Sequence, residues 1–142
     1  MTYELHEVDG VTFAETLAGL NRLVPEWPEL QTRHFENGYW WIAYHGGEIV
    51  AFAGLVPMTP FVGYGYLKRC YVKPDHYGHG LQFRMMVARE VKARQLEWTH
   101  LVSECLSTNS FSSGNFRRAG FSVCEPEQKW GEPGSVYWVK EL

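Results

Sequence analysis

The chain has 142 residues, 45% hydrophobic and 20% charged, which suits one soluble domain with a real core and excludes a disordered or collagen-like chain. A net charge of −3 disfavours a protein held mainly by nucleic-acid phosphates, although Lys68, Arg69 and Lys73 form a local basic cluster. The three cysteines contain no C-x-x-C pair and suit a reducing cytoplasm, the mixed N-terminus is not a signal peptide, and no run reaches the roughly 18 apolar residues of a membrane span.

In chain order, "TYELHEV" alternates weakly and reads as a first strand. Thr12 and Glu15 have capping-box spacing, and Phe13, Leu17, Leu20 and Val24 then recur at helical intervals up to Pro25. Pro28 in a first turn predicts a second, shorter helix to about Phe35. "YWWIAY", "HGG" and "EIVAFAGLVP" predict a β-hairpin, "TPFVGYG" a loop, and "YLKRCYV" a further strand closed by Pro74. The longest helix is expected over Leu81 to Leu96, burying Leu81, Met85, Ala88 and Val91, with Arg84 and Lys92 blurring the period.

"THLVSEC" then reads as a short strand, and Asn109 to Ala119 as a helix ended by Gly120. "FSVCEP" and "SVYWVKEL" flank a Gly/Pro turn as a closing antiparallel pair. No linker or repeat divides the chain, so residues 1–142 are expected to form one domain of mixed α/β (α+β) class.

The stretch "YGHGLQ" lies between a strand and the longest helix. The first amides of a helix lack internal partners and carry the positive end of its dipole. Gly78 and Gly80 leave that backbone bare, so an anionic group can approach it; the plainer alternative is a sharp turn. His76 and His79 lack a third ligand for a metal, and solvated loop histidines are the simpler reading.

Two motifs here resemble the GNAT superfamily of acyl-CoA-dependent N-acetyltransferases. Its pyrophosphate loop, Arg/Gln-x-x-Gly-x-Gly/Ala after V-x-P, is similar to "VKPDHYGHGLQ", with Val72, Pro74, Gly78 and Gly80 in place. Tyr77 stands where the family has Arg/Gln, and Gln82 where it has Gly/Ala. The family pattern Asn-x-x-Ala-x-x-x-Tyr-x-x-x-Gly-Phe is similar to "NSFSSGNFRRAGF", with Asn109, Ser112, Phe116, Gly120 and Phe121 at the same spacings.

The resemblance implies a mixed, mostly antiparallel central sheet flanked by helices and splayed between its fourth and fifth strands. It implies acetyl-CoA as cosubstrate, with Cys70, Tyr71 and Val72 along the pantetheine arm. Tyr77, Gly78, His79, Gly80, Leu81 and Gln82 would hold the pyrophosphate by their amides, and Asn109 would contact the pantetheine or order the site. With no Arg at position 77, Lys73, Arg84 or Arg117 are the candidates for nearby positive charge.

Acetyl transfer to an amine needs a base, an oxyanion donor and an acid for the leaving thiolate. Glu104 near the end of the fifth strand is the candidate base, the alternative being an exposed strand glutamate. By resemblance, a backbone N–H near Tyr71 or Val72 serves the oxyanion, and Phe116 occupies the position of the family's proton donor. Tyr66, Tyr71 and Cys105 are other protic side chains on these strands.

Glu26, Trp27 and Glu29 fall where the resemblance puts the acceptor-lining segment, and Trp40, Trp41, Trp130 and Trp138 are either further walls or core. The expected partners are acetyl-CoA and an amine acceptor, with no nucleic acid, membrane or metal. Analogy with the family allows a homodimer. The competing expectation is an acyl-CoA-binding or scaffold protein with weak or no catalysis, suggested by the changes at Tyr77, Gln82 and Phe116.

Overall fold

The computed structural model describes residues 2–142. Among them are strands β1 (Glu4–Val8), β2 (Tyr39–His45), β3 (Glu48–Pro57), β4 (Tyr64–Val72), β5 (His100–Leu106), β6 (Ser122–Cys124) and β7 (Ser135–Glu141). Helices α1 (Ala14–Asn21), α2 (Leu81–Gln95) and α3 (Ser110–Arg118) complete the regular structure, with 3-10 turns at Thr32–Phe35 and Pro74–His76. The strands form one sheet in the order β1-β2-β3-β4-β5-β7-β6. Only β4 and β5 pair in parallel, and α2 is the crossover such a pair needs.

β3 is buried from Val50 to Leu55 because helices cover both its faces, so its sequence is a continuous apolar run instead of an alternating one. On one face Leu17, Leu20, Phe35, Trp40, Ile42 and Phe52 pack together. On the other, Leu67, Met86, Leu101, Phe116 and Trp138 form one cluster, and Val50, Ala51, Leu81 and Met85 belong to a second. The Trp40 ring lies directly over Gly54, where a Cβ would come within 2.4 Å of it.

Several expected boundaries move for local reasons. Thr12 does not cap α1: its hydroxyl donates to Asp9 at 2.7 Å, and α1 starts at Ala14 and ends at Asn21. The expected second helix shrinks to the 3-10 turn Thr32–Phe35, capped reciprocally by Gln31 and His34. Pro28 is not in it; the Pro28 carbonyl instead accepts from Asn21 Nδ2 at 3.0 Å. β4 begins at Tyr64, so part of the expected loop belongs to the strand.

The buried face of α2 also differs from the expected one. It comprises Leu81, Met85, Met86, Arg89 and Ala93, while Val91 is half exposed. The expected stripe passed over Arg89 because a charge is rarely placed in a core. The reason for its burial lies in β4.

Register runs Ala53↔Cys70 and then Gly54↔Lys68, leaving Arg69 as an unpaired bulge with a left-handed φ of 59°. A bulge strands carbonyls that a regular ladder would satisfy. Arg89 collects them, donating from Nη1 to Gly54 O at 3.1 Å and to Arg69 O at 3.3 Å, and from Nε to Met85 O at 3.1 Å. On the opposite face the Arg69 side chain is fastened by Nε to Asn21 Oδ1 at 2.9 Å, with its guanidinium 5.1 Å from the centre of the Trp27 ring.

Just ahead of the bulge the strands part. β4 and β5 pair only through Tyr64↔His100, Gly65↔Leu101 and Tyr66↔Val102. Beyond that point the Leu67 carbonyl accepts the Ser103 hydroxyl at 3.0 Å in place of a β5 amide, and β5 continues its ladder with β7 alone.

Arg89→Met, which keeps the length but removes the donors, is expected to lose about 2–4 kcal/mol because two sheet carbonyls stay buried without partners. Urea denaturation measures this. A loss within error would mean the bulge carbonyls find other donors.

Candidate functional site

The parted end of β4, the Lys73–Gly80 loop and the N-terminus of α3 enclose a cleft of about 420 Å³. Cys70, Val72, His76, Tyr77, Gly78, Gly80, Leu81, Gln82, Asn109, Phe111 and Ser112 line it. Gly78 and Gly80 adopt φ of 81° and 75°, and a Cβ at either would meet only open space. The glycines therefore serve a left-handed turn, and the space in front of them is free for a ligand.

Two helix N-termini meet at this cleft and are treated differently. Asn109 caps α3, its side-chain oxygen accepting from Ser112 N at 3.0 Å. α2 follows Gly80, and no side chain caps it. Its first amides remain available to an anion.

Gln82 does not block the cradle. Its amide spans from α2 to α3, donating to Ser112 Oγ at 3.1 Å and accepting from Asn115 Nδ2 at 2.7 Å. The extra bulk at this position thus fastens the helix that carries the cradle to its neighbour.

The strand edge continues the row of donors. Lys73 N donates to Val50 O at 2.8 Å. Because antiparallel ladders alternate, Tyr71 then also faces β3, while the amides of Cys70 and Val72 face the gap. Of the two positions expected to offer the oxyanion donor, Val72 is the one whose N–H is turned to the opening. Burial raises the Cys70 thiol above its ordinary value, with Arg89 and Gln82 pulling the other way, which suits a neutral lining group better than a nucleophile.

Across the gap, on the α1 face, lies a carboxylate among aromatic rings. Glu104 pairs with Tyr137 in the β5–β7 register, so their side chains share a face. Glu104 accepts from the Tyr66 hydroxyl at 2.5 Å and from Trp130 Nε1 at 2.6 Å. Trp130 packs edge-on against Tyr137 at 4.7 Å, and the Tyr137 hydroxyl accepts from Gly131 N at 3.0 Å. Glu104 is thus a held, oriented acceptor and not a free strand residue. Burial first, and the Glu104 charge second, push the Tyr66 phenol well above its ordinary value of 10.0.

Other expected site residues lie elsewhere. Trp27 is half-buried against Phe52 and Tyr71, whereas Glu26 is exposed and Glu29 forms an exposed pair with Arg22 at 3.6 Å. Tyr71 packs with the α1-side core. Phe116 is buried, stacked on Trp138 at 5.4 Å, and does not line the cleft. Trp40, Trp41 and Trp138 are core, leaving Trp130 as the tryptophan beside Glu104.

His76 was expected to be solvated, yet its ring packs near Tyr3 and His45, and its Nδ1 is 3.0 Å from the Tyr3 hydroxyl. His79 packs near Tyr3 and does not line the cleft. Tyr66 and Trp130, expected only as one of several protic groups and one of several walls, are the two that hold Glu104, and Phe111 was not expected; an aromatic residue beside a motif carries no signal until the fold brings it there.

A more open hollow of about 710 Å³ runs along edge strand β1, lined in part by Glu4, Glu7 and Asp9. Its acidic lining repels an anion and it lies away from the gap, so size does not identify the site. Among the described residues no cluster has the makings of a metal centre, and no helix is long and apolar enough to cross a membrane.

Tyr66 carries a pH signature. Its raised folded-state value means that stability is intact below the unfolded value of about 10 and is lost as pH rises above it, when only the unfolded chain can release the proton. Between pH 10 and 12, Tyr66→Phe is expected to show a shallower alkaline fall in denaturation free energy than the wild type. Equal slopes would mean that Tyr66 ionises freely in the folded chain.

Comparison with known proteins accords with this geometry. No curated protein matches the sequence. The chain superposes on a putative acetyltransferase from Salmonella typhimurium, solved with its cofactor acetyl-CoA, with a TM-score of 0.79 at 17% identity over 100% of this chain and 95% of that one. It also matches an IAA acetyltransferase from Bacillus cereus (TM-score 0.76, 13% identity, 99% and 100% coverage). A putative acyl-CoA N-acyltransferase from Klebsiella pneumoniae is similar as well (TM-score 0.71, 22% identity, 99% and 98% coverage). These likenesses show the fold, and the model of the acetyltransferase (GNAT) family matches residues 8–121. The chain, with its seven-stranded mixed sheet, parallel β4–β5 pair and open α2 N-terminus, belongs to the GNAT acetyltransferase family, whose members typically use acetyl-CoA.

Proposed function

We propose that this protein is an N-acetyltransferase that moves the acetyl group of acetyl-CoA to a primary amine by direct attack in a ternary complex. The observation that carries this reading is the loss of β4–β5 pairing after Tyr66, beside the open glycine cradle at α2. Unpaired strand amides and unpaired helix amides then form one continuous row of donors. A bound acyl-CoA would supply the activated acyl group and a stable thiolate leaving group.

The residues divide the work by position. The first amides of α2, behind Gly78 and Gly80, suit the pyrophosphate, and the amides of Cys70 and Val72 suit the pantetheine edge and the developing oxyanion. Phe111 offers an apolar wall. Glu104, oriented by Tyr66 and Trp130, is the acceptor for the proton of the attacking amine, and the rings around it suit a group that arrives as a cation. Trp27, packed on Tyr71 and under the Arg69 guanidinium of β4, is the candidate outer boundary of the acceptor side, with Glu26 and Glu29 exposed beyond it.

Phe116 has no proton to give, so the acid for the thiolate is not at that helix position. This one observation favours a second reading, in which acyl-CoA is bound but turned over slowly or not at all. Calorimetry with acetyl-CoA and a thiol-release assay over an amine panel separate the two: binding with amine-dependent release supports the enzyme, and binding without release supports the second reading.

For the enzyme, Glu104→Gln is expected to lower kcat by about 10²-fold or more while acetyl-CoA affinity stays within about twofold. Unchanged kcat would remove Glu104 from the proton transfer.

A further inference from the structure

The charge balance of the cleft is unusual for a site facing a diphosphate. None of its lining residues is Lys or Arg. The three cations the sequence offered are engaged elsewhere. Lys73 pairs with Glu48 at 3.2 Å, Arg84 Nη1 donates to the Tyr3 carbonyl at 3.4 Å, and Arg117 lies over the Trp138 ring at 5.3 Å. Tyr77, in the position of the family's Arg or Gln, is exposed and uncharged.

One lining residue can still become a cation. His76 ends the 3-10 turn before the cradle, and its Nδ1 is held at 3.0 Å by the Tyr3 hydroxyl. A hydroxyl both donates and accepts, so this bond survives whether Nδ1 is bare or protonated. Nε2 has no protein partner among the described residues, and with Nδ1 committed it is the nitrogen left for a ligand.

No carboxylate is hydrogen-bonded to His76 among the described residues. His76 faces Tyr3, the His45 ring at 5.4 Å and, beyond Tyr3, His79, while the nearby charges are Asp75 in its own turn, the Lys73–Glu48 pair and Arg84.

We infer that His76 is the cationic partner of the diphosphate in this cleft, so that acyl-CoA binds with uptake of a proton and its affinity rises as pH falls through the imidazole range. The inference rests on the proposed acyl-CoA site. Its physical content is linkage: an imidazole that gains an anionic neighbour holds its proton more tightly in the complex than in the free protein. In most of the family's loops, by resemblance, a permanent charge or a neutral amide stands nearby, and neither would make binding depend on pH in this range.

The test uses dephospho-coenzyme A, which keeps the diphosphate but lacks the 3′-phosphate that itself titrates near neutrality. Calorimetry between pH 5.5 and 8.5, in buffers of different ionisation enthalpy, reads affinity and proton uptake together. The expected result is affinity about tenfold tighter at the acid end, corresponding to about one unit of linked shift, with proton uptake near the midpoint. His76→Gln is expected to bind with the wild-type's high-pH affinity at every pH, and His79→Gln to keep the full dependence.

Wild-type binding with pH-independent affinity and no proton uptake would overturn the inference while leaving the acyl-CoA site intact. A dependence that persists in His76→Gln would assign the proton to another group and overturn it as well. No binding of dephospho-coenzyme A or acetyl-CoA at any pH would overturn the acyl-CoA site and the inference together.

Discussion

A sheet can hold a ligand between two neighbouring strands only if those strands stop pairing without leaving their backbone groups buried and unsatisfied. Here that constraint is met at the Arg69 bulge. β4 leaves β5 after Tyr66, the bulge follows three residues on in the ladder with β3, and the carbonyls it strands are gathered by Arg89 from the face of α2. Arg89 is buried without a carboxylate because its charge is spread over three carbonyl dipoles, an arrangement a planar fork of donors can make and lysine cannot. On the other face, Arg69 is tied to the end of α1 through Asn21. The opening between β4 and β5 is therefore fixed from both sides of the sheet.

The site then uses backbone more than side chains. On the proposed reading its anion-binding capacity comes from the uncapped start of α2, and its strand edge from the amides of Cys70 and Val72. Side chains mainly hold these elements in place. Gln82 joins α2 to α3, Asn109 caps α3, and Ser103 covers the carbonyl at the point of parting. This division explains why the departures from the family pattern at Tyr77 and Gln82 leave the cradle's shape intact, while the first changes its charge.

Much of this was legible in the sequence where local chemistry decided it. The "YGHGLQ" turn, the long α2 and the β2–β3 hairpin follow from glycines, Pro74 and apolar runs whose meaning does not depend on distant residues. The buried face of α2 was misread because Arg89 has a partner only after β4 bulges against β3, and no periodicity encodes a bulge. Thr12 looked like a cap because spacing cannot show that Asp9 would take its hydroxyl. Glu104 was visible as a strand residue, but its orientation by Tyr66 and Trp130 joins residues 38 and 26 positions away. Phe116 matched a motif spacing while serving the core. His76 looked like a solvated loop residue until Tyr3, more than 70 positions earlier, was brought against it.

The central claim is that acyl-CoA lies along the parted edge of β4 and the start of α2. Backbone amide shifts followed by NMR during titration with acetyl-CoA test it directly. The account predicts that the largest changes fall on Cys70, Val72 and the amides from Gly78 to Phe83, with Glu4, His6, Gly46 and Gly47 along the β1 hollow unmoved. Changes confined to the β1 hollow, with the α2 N-terminus silent, would contradict it.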